Sequence, residues 1–345
     1  MKIAILYSQD WADQSAPDAP PAQNRPDCLD TLDQAKLIED SLVRKGHITR
    51  RFALKDRASF MPLLAGINEF APDVIFNLVE SIYGKEELHP SMAGLLEILR
   101  IPYTGSPLPA LASTTDKAVT KAVLAAAGLP TARGKVFNGD DGGGLNLENG
   151  LACGPWIVKP ACADASIGID DDAVVTDPAA LLPKAAQVSA RFGKTLLERF
   201  IDGREFNISL LEIPGSGKAE VMPPAEMEFA NWPADKPRIV NYKAKWDEAA
   251  FEYENTVRTF PPAGEKTPIE EMKKVALACW DVFGLRGYAR VDMRLDPEGG
   301  IYIMEINANP CIAPWSGFMA ASKQGGYGPE QVIERIVLSA LDRRL

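Results

Sequence analysis

Acidic, amide and guanidinium side chains recur at close spacing between Tyr288 and Asn307. Arg290 and Asp292 lie on one alternating apolar-polar run, Glu305 and Asn307 on the next, and Asp296-Pro297-Glu298-Gly299-Gly300 separates the two runs. Such runs about a Pro/Gly turn predict a β-hairpin. If Asp296 pairs with Ile301, Asp292 falls opposite Glu305 and Arg290 opposite Asn307. A slip of one residue would change the partners. The faces are firmer: side chains alternate along a strand, so Arg290 shares a side with Asp292, and Glu305 with Asn307. Carboxylates opposed in a sheet repel unless a cation lies between them. A set of hard oxygens without Cys or His suits Mg²⁺ (or Mn²⁺), which fills its remaining positions with water and phosphate oxygens. Arg290 would offer a fixed positive charge to the same phosphates. A solvated hairpin with an acidic outer face is the plainer alternative, and the apolar setting of Met304-Glu305-Ile306-Asn307 speaks against it.

Two other segments carry charge at strand ends. Pro155-Trp156-Ile157-Val158-Lys159-Pro160 is an apolar strand ending on lysine, followed by the small-residue stretch Ala161 to Ile169. A lysine there can reach a phosphate while loop amides approach it closely, although Lys-Pro pairs are common in ordinary strands too. Thr195 to Ile201 runs through Asp202-Gly203 into Arg204 to Leu211. In one reading Glu198 and the hinge backbone behind it meet a purine edge while Glu205 takes ribose hydroxyls. In the other, both are turn carboxylates. These residues alone leave both readings open.

The elements that must position these groups follow from periodicity. Ile3 to Tyr7 and Asp73 to Val79 read as buried strands. Leu29, Leu32, Ile38 and Leu42 mark a helix stopped at Gly46, and Met92, Leu95, Leu96 and Leu99 mark another. This alternation predicts a small doubly wound α/β domain over residues 1–112, with Tyr7-Ser8-Gln9 and Leu78-Val79-Glu80-Ser81 as candidate substrate loops at its strand ends. Trp11 to Asp27 reads as a Pro-rich loop and Asp140 to Gly144 as a surface turn. Residues 113–195 and 196–345 form two further α+β units, the second with a mobile loop at about 223–262 that carries Asn241 to Asp247. Thr267-Pro268-Ile269-Glu270 opens a helix with a capping box. That helix turns Met272, Val275, Ala276, Cys279 and Val282 inward and stops at Gly284. A last helix follows Pro329.

The 345-residue chain has 46% hydrophobic and 24% charged residues, as ordinary globular proteins do. Its net charge of -10, with no element rich in Lys or Arg, argues against a nucleic-acid partner. The five cysteines lack CxxC spacing and read as free thiols of a reducing compartment. The first strand is too short for a signal-peptide core, and no apolar run approaches the ~20 residues of a membrane span. A cytoplasmic protein is expected. His47 and His89 lie in unrelated segments and suggest no further metal.

Taken in order, Lys117, Lys159-Pro160, Glu198 to Ile201, Glu205, Lys245, Arg290-x-Asp292 and Glu305-x-Asn307 resemble the ATP-grasp superfamily. With Ile101 to Ser106, Gly287 to Asp292 and Asn307-Ala308-Asn309-Pro310, residues 70 to 345 are similar to the D-alanine-D-alanine ligase branch. The resemblance implies an ATP-grasp fold with ATP held between two α+β subdomains. It implies nucleotide contacts from Lys117, Lys159, Glu198, Arg199, Phe200, Ile201 and Glu205, and two Mg²⁺ on Asp292, Glu305 and Asn307. Lys245 would come onto the γ-phosphate from the mobile loop, Arg290 would face the acyl phosphate, and Ser166 would remain from the phosphate loop. The implied activity is an ATP-dependent carboxylate-amine ligase acting on amino acids or small peptides, and the branch's habit of pairing through the amino-terminal domain leaves a homodimer open.

Three departures fall on substrate residues. Tyr7 leads into Ser8-Gln9-Asp10-Trp11 instead of a Gly-Gly-x-Ser-x-Glu stretch, and no histidine follows Val79. The phosphate loop reads Ala163-Asp164-Ala165-Ser166 where Glu-Gly-Ser-Ser is usual. Cys311 also stands in place of a glycine. The expectation is therefore a ligase with altered substrate loops. Its alternatives are a genuine D-alanine-D-alanine ligase, a non-catalytic ATP-binding regulator, and, more remotely, phosphoryl transfer to a hydroxyl.

Overall fold

The structure is a computed structural model that describes residues 1–9, 26–139, 154–262, 264 and 268–342, with residues 26–29 described by backbone alone. The expected loop from Trp11 to Asp27 lies outside the described residues except at Pro26 and Asp27, which are helical; the turn at Asp140 to Gly144 and Thr267 of the expected capping box also lie outside them. Strand β1 (Lys2–Ser8), helix α1 (Pro26–Arg44), β2 (Ile48–Leu54), α2 (Phe60–Phe70) and β3 (Val74–Leu78) build a parallel sheet in the order β2-β1-β3. Central strand β1 is apolar on both faces because helices cover both. β2 escapes a sequence reading because Arg50 and Arg51 interrupt its apolar pattern at the sheet edge. Gly46, at φ +80, ends the turn after α1. Helices α3 (Pro90–Ile98), α4 (Leu108–Thr115) and α5 (Lys117–Ala126) follow. Asp116 caps α5 by accepting from the Ala118 and Val119 amides.

A second, antiparallel sheet runs β4-β7-β5-β6, from β4 (Gly134–Phe137), β5 (Trp156–Pro160), β6 (Val174–Val175) and β7 (Thr195–Arg199), with α6 (Pro178–Phe192) packed on one face. The largest sheet runs β11-β10-β8-β12-β13. It comprises β8 (Arg204–Glu212), β10 (Ala225–Phe229), β11 (Thr256–Thr259), β12 (Tyr288–Leu295) and β13 (Ile301–Asn307), and β9 (Ala219–Val221) pairs with β8. Residues 223–262 are therefore more structured than a loop: they hold β10, β11 and two short helices, α7 (Tyr242–Trp246) and α8 (Phe251–Asn255).

The two faces of the large sheet have opposite characters. Phe206, Ile208 and Leu210 of β8 join Ala289, Val291 and Met293 of β12 in a core closed by α9 (Ile269–Phe283). Val282 was expected in that core. It is 44% exposed, while Trp280 and Phe283 are buried, because the apolar stripe of α9 drifts toward its end. Pro268 is the N-cap of α9 without a side-chain cap bond. On the other face Glu205, Asn207 and Ser209 pair across to Arg294, Asp292 and Arg290. The remaining helices, α10 (Gly317–Gln324) and α11 (Pro329–Leu341), pack with α1 and β1 into a second core.

The hairpin register differs from expectation at the turn. Leu295, not Asp296, pairs with Ile301, and Met293 pairs with Ile303. A bulge then absorbs Met304, so that Asp292 still meets Glu305 and Arg290 still meets Asn307. Were Met304 instead paired in a regular ladder, alternation would put Glu305 on the same face as Ile303, in the core. With the bulge, Ile303 and Ile306 point into the core and Glu305 joins the polar face.

Candidate active site

The polar face of the large sheet is a largely buried network of charges. Arg290 grips Asp292 from the same strand face, Nε to Oδ1 and Nη2 to Oδ2 both at 2.7 Å. Asn207 Nδ2 donates to Asp292 Oδ1 at 2.9 Å. Asn307 Nδ2 reaches both carboxylates, Asp292 Oδ2 at 3.3 Å and Glu305 Oε1 at 3.4 Å. Burial opposes ionisation of Glu305, but Lys117, Lys245, Lys159 and Arg290 outweigh it and hold that carboxyl well below the usual range. Asp292 moves the other way, because burial and the nearby Glu305 outweigh Arg290. Two largely buried acids gathered among this many cations fit a functional site better than a solvated surface.

A second cluster faces it. Glu198, fully buried in β7, ion-pairs with Lys159 of β5 at 2.8 Å and with Lys121 of α5. It is thus neither a turn carboxylate nor free to act alone. Burial resists its charge, yet the two ammoniums keep its pKa lowered, while burial lowers the pKa of Lys121. Lys117, one helical turn before Lys121, points to the hairpin: its Nζ lies 3.7 Å from Glu305, and donates to Asp164 Oδ1 at 2.9 Å and Ala163 O at 2.8 Å. Glu205 opens β8 as expected and is held by Arg294 at 2.7 Å; Arg294 Nη1 also binds the hinge carbonyl of Ile201 at 2.9 Å. Phe200 is buried under Arg294, whereas the Arg199 side chain is exposed.

The small-residue stretch after β5 is clamped by the 223–262 segment. Ser166 Oγ donates to Val240 O at 2.7 Å and Trp246 Nε1 to Ala165 O at 3.0 Å, with Ala165 and Ser166 both at positive φ. This brings half-buried Lys245 of α7 within electrostatic reach of Glu305. On the far side, Asp164 N–H donates to Glu86 Oε2 at 2.7 Å. Burial and Asp164 together push the Glu86 carboxyl up to about 8. The two candidate substrate loops also meet, since Ser8 Oγ accepts from the Glu80 and Ser81 amides at 3.1 and 3.2 Å. Gln34 of α1 spans Glu80 and Asp30, and Cys311 Sγ donates to Asp30 Oδ1 at 3.3 Å. Lys121, Asn207, Arg294, Glu86, Gln34 and Asp30 were not singled out in sequence. Only Asn207 left a clear signal, the Glu205-x-Asn207-x-Ser209 alternation.

The family model for the D-ala D-ala ligase C-terminus matches residues 124–338. The D-alanine–D-alanine ligase of Stutzerimonas stutzeri is 32% identical over 312 residues, covering 86% of this chain and 90% of that one. This chain belongs to the D-alanine–D-alanine ligase family. Members of that family are ATP-dependent, ADP-forming carboxylate-amine ligases, and the chain is an enzyme of that class. The fold agrees. The Bacillus anthracis D-alanine–D-alanine ligase crystal structure superposes with a TM-score of 0.73 at 21% identity, covering 99% of this chain and 97% of that one. The same protein complexed with ATP superposes equally well, with a TM-score of 0.73 at 19% identity. Both place this ligase in the ATP-grasp fold. Among the described residues no helix is long and apolar enough to cross a membrane.

Proposed function

We propose that this ligase joins a donor carboxylate to an amine through an acyl phosphate, and that its substrates are amino acids or small peptides recognised by altered loops. One observation carries the reading: Asp292, Glu305 and Asn307 converge on a buried sheet face within reach of Lys117. Among the described residues no three His, Cys, Asp or Glu side chains cluster as metal ligands. Two carboxylates and an amide fit a hard divalent ion that takes its other ligands from phosphate and water. Mg²⁺ held there would neutralise charge on the phosphate oxygens. Lys117 and Lys159 bind the nucleotide, the buried Glu198 orients both Lys159 and the hinge, and Glu205 takes the ribose. Arg290 keeps Asp292 in place and stabilises the oxyanion formed when the amine attacks. Lys245, on a segment latched through Trp246 and Ser166, covers the γ-phosphate and excludes water from the acyl phosphate.

In the balanced reaction a carboxylate oxygen attacks the γ-phosphorus and ADP leaves. The amine then attacks the acyl carbon and expels inorganic phosphate. D-alanine is the first substrate to try, given the name borne by the Stutzerimonas relative. The Asp30, Gln34 and Glu80 cluster beside Cys311, with Asp164 in the phosphate loop, favours a different donor. Phosphate release from ATP and Mg²⁺ should be measured against D- and L-amino acids, singly and in pairs. Release that requires one pair supports the proposal. Release with no amine, or a phosphorylated product without free phosphate, contradicts it.

A further inference from the structure

Arg294 of β12 is only 3% exposed, and its guanidinium has no task in the account above. Alternation along the strand puts its side chain on the polar face with Arg290 and Asp292, and it pairs across the sheet with Glu205 of β8. Burying a guanidinium is costly unless its donors are taken up. Here the acceptors come from three places far apart in the chain. Nη1 donates to the Ile201 carbonyl, at the hinge after β7, at 2.9 Å. Nη2 donates to Glu205 Oε2 at 2.7 Å and to the Arg238 carbonyl, in the segment that leads into α7. The guanidinium also lies over the Phe200 ring, 5.1 Å from its centre, and Phe200 packs in turn with Ile157, Ala173 and Ile239. A planar fork held by three acceptors and a ring keeps one orientation.

That orientation decides what Glu205 can do. An ionised carboxylate only accepts hydrogen bonds. With Oε2 engaged by Arg294, Oε1 is the oxygen left to accept from hydroxyl groups. Asp292 feels the charge of Glu205, so the two carboxylates repel, and an unpaired Glu205 would swing away from the site. The Arg294 charge offsets that repulsion. A free glutamate side chain would also lose rotamer freedom on meeting a ligand, and the bond from Arg294 removes that loss beforehand. We propose that Arg294 is a positioning residue for the nucleotide, fixing the Glu205 carboxylate for the ribose hydroxyls and so setting a preference for ATP over dATP. This rests on the reading of Glu205 as the ribose contact and names the residue on which that contact depends.

The test needs no turnover to be read. Binding of ATP and of dATP to the full chain with Mg²⁺, followed by titration calorimetry, should be compared among the parent, Arg294→Met, Arg294→Lys and Glu205→Ala, with thermal melting as the control of folding. The parent should bind ATP about 10-fold or more tighter than dATP, since hydrogen bonds to charged groups are worth roughly 10- to 100-fold. In Arg294→Met the two affinities should come within about threefold of each other. Arg294→Lys keeps a charge beside Glu205 but not the fork to both carbonyls, and should show an intermediate ratio. The ratio is the decisive reading, because a side chain that only supports the fold would weaken both nucleotides alike. An undiminished ratio in Arg294→Met, or an equal loss for ATP and dATP, would overturn the assignment. If Arg294→Met does not fold, the ratio in Arg294→Lys decides in the same way. Glu205→Ala separates the two readings. If it abolishes the parent's preference while the Arg294 variants keep it, Glu205 stands and Arg294 falls. If the parent shows no preference, or Glu205→Ala keeps it, the ribose reading falls and the role of Arg294 falls with it.

Discussion

At the scale of single residues, the buried Lys121–Glu198–Lys159 cluster makes the firmest demands. Removing one partner of a buried ion pair strands the other charge, which costs far more than the pair contributes. Glu198→Gln, which strands both buried ammoniums, should lower stability by about 3 kcal/mol or more in thermal melting. Lys121→Met should cost less, because Glu198 keeps its pair with Lys159. Glu305→Ala should slow phosphate release on the order of 10²-fold or more at saturating Mg²⁺, the typical loss when one preorganised electrostatic contact is removed. Near-normal turnover would mean the metal is held elsewhere. Lys121 was hidden in the sequence for a physical reason: a lysine on an amphipathic helix usually marks the solvated side. Here both Lys117 and Lys121 are buried, at 4% and 8% exposure.

At the scale of elements, the hairpin reaches its pairing through a bulge. Alternation alone announced the two strands and their polar faces, and the pairing of Asp292 with Glu305 followed from it. The route to that pairing did not, since the expected register was off by one at the turn. The spacing of Ile303 and Ile306, three residues instead of two, is the trace the bulge left in the sequence. Deleting Met304 should leave a regular ladder in which Glu305 directly follows Ile303 and still meets Asp292, so phosphate release should persist; its loss would mean that the bulge itself shapes the site. The junction between the 3₁₀ turn at Glu86–Leu88 and the phosphate loop makes a pH prediction. Glu86 faces Asp164, Lys117 and Glu80 and keeps its proton in the native state up to about pH 8, against 4.5 ordinarily. The native state therefore binds more protons than the unfolded one between those values, and stability falls as pH rises through them. Glu86→Gln preserves the acceptor for the Asp164 amide. It should melt higher than the parent at pH 8 and much like it below pH 4.5, as followed by calorimetry.

At the scale of the molecule, the parallel sheet and the catalytic sheet share apolar cores and meet at a close approach beside them. Gly105, at φ +87, leaves no room for a side chain, since a Cβ would stand 2.1 Å from Asn309 Oδ1. That oxygen accepts from the Ser106 amide at 3.0 Å, and Ser106 Oγ donates to Ala308 O at 3.1 Å, just beyond the metal-site strand. Gly105→Ala should cost about 2 kcal/mol or more, read as a lower midpoint in urea. β1 and β3 were legible because parallel strands buried on both faces stand out as apolar runs, and α1 and α3 by their helical spacing, whereas β2 and α2 were not read. β10 and β11 were not, because Pro, Trp and charged residues surround them and an edge strand keeps polar side chains. The net charge of -10 hid a site crowded with lysine and arginine, since a total says nothing of where charges gather.

The central claim is that a carboxylate is phosphorylated before the amine attacks. The direct measurement uses the substrate pair that supports phosphate release, with the donor carboxyl labelled with ¹⁸O, and mass analysis of the phosphate. The account predicts that each released phosphate carries an oxygen from the donor carboxyl, and that this transfer disappears in Glu305→Ala. Phosphate whose new oxygen comes from water would contradict an acyl phosphate and reduce the site to an ATPase.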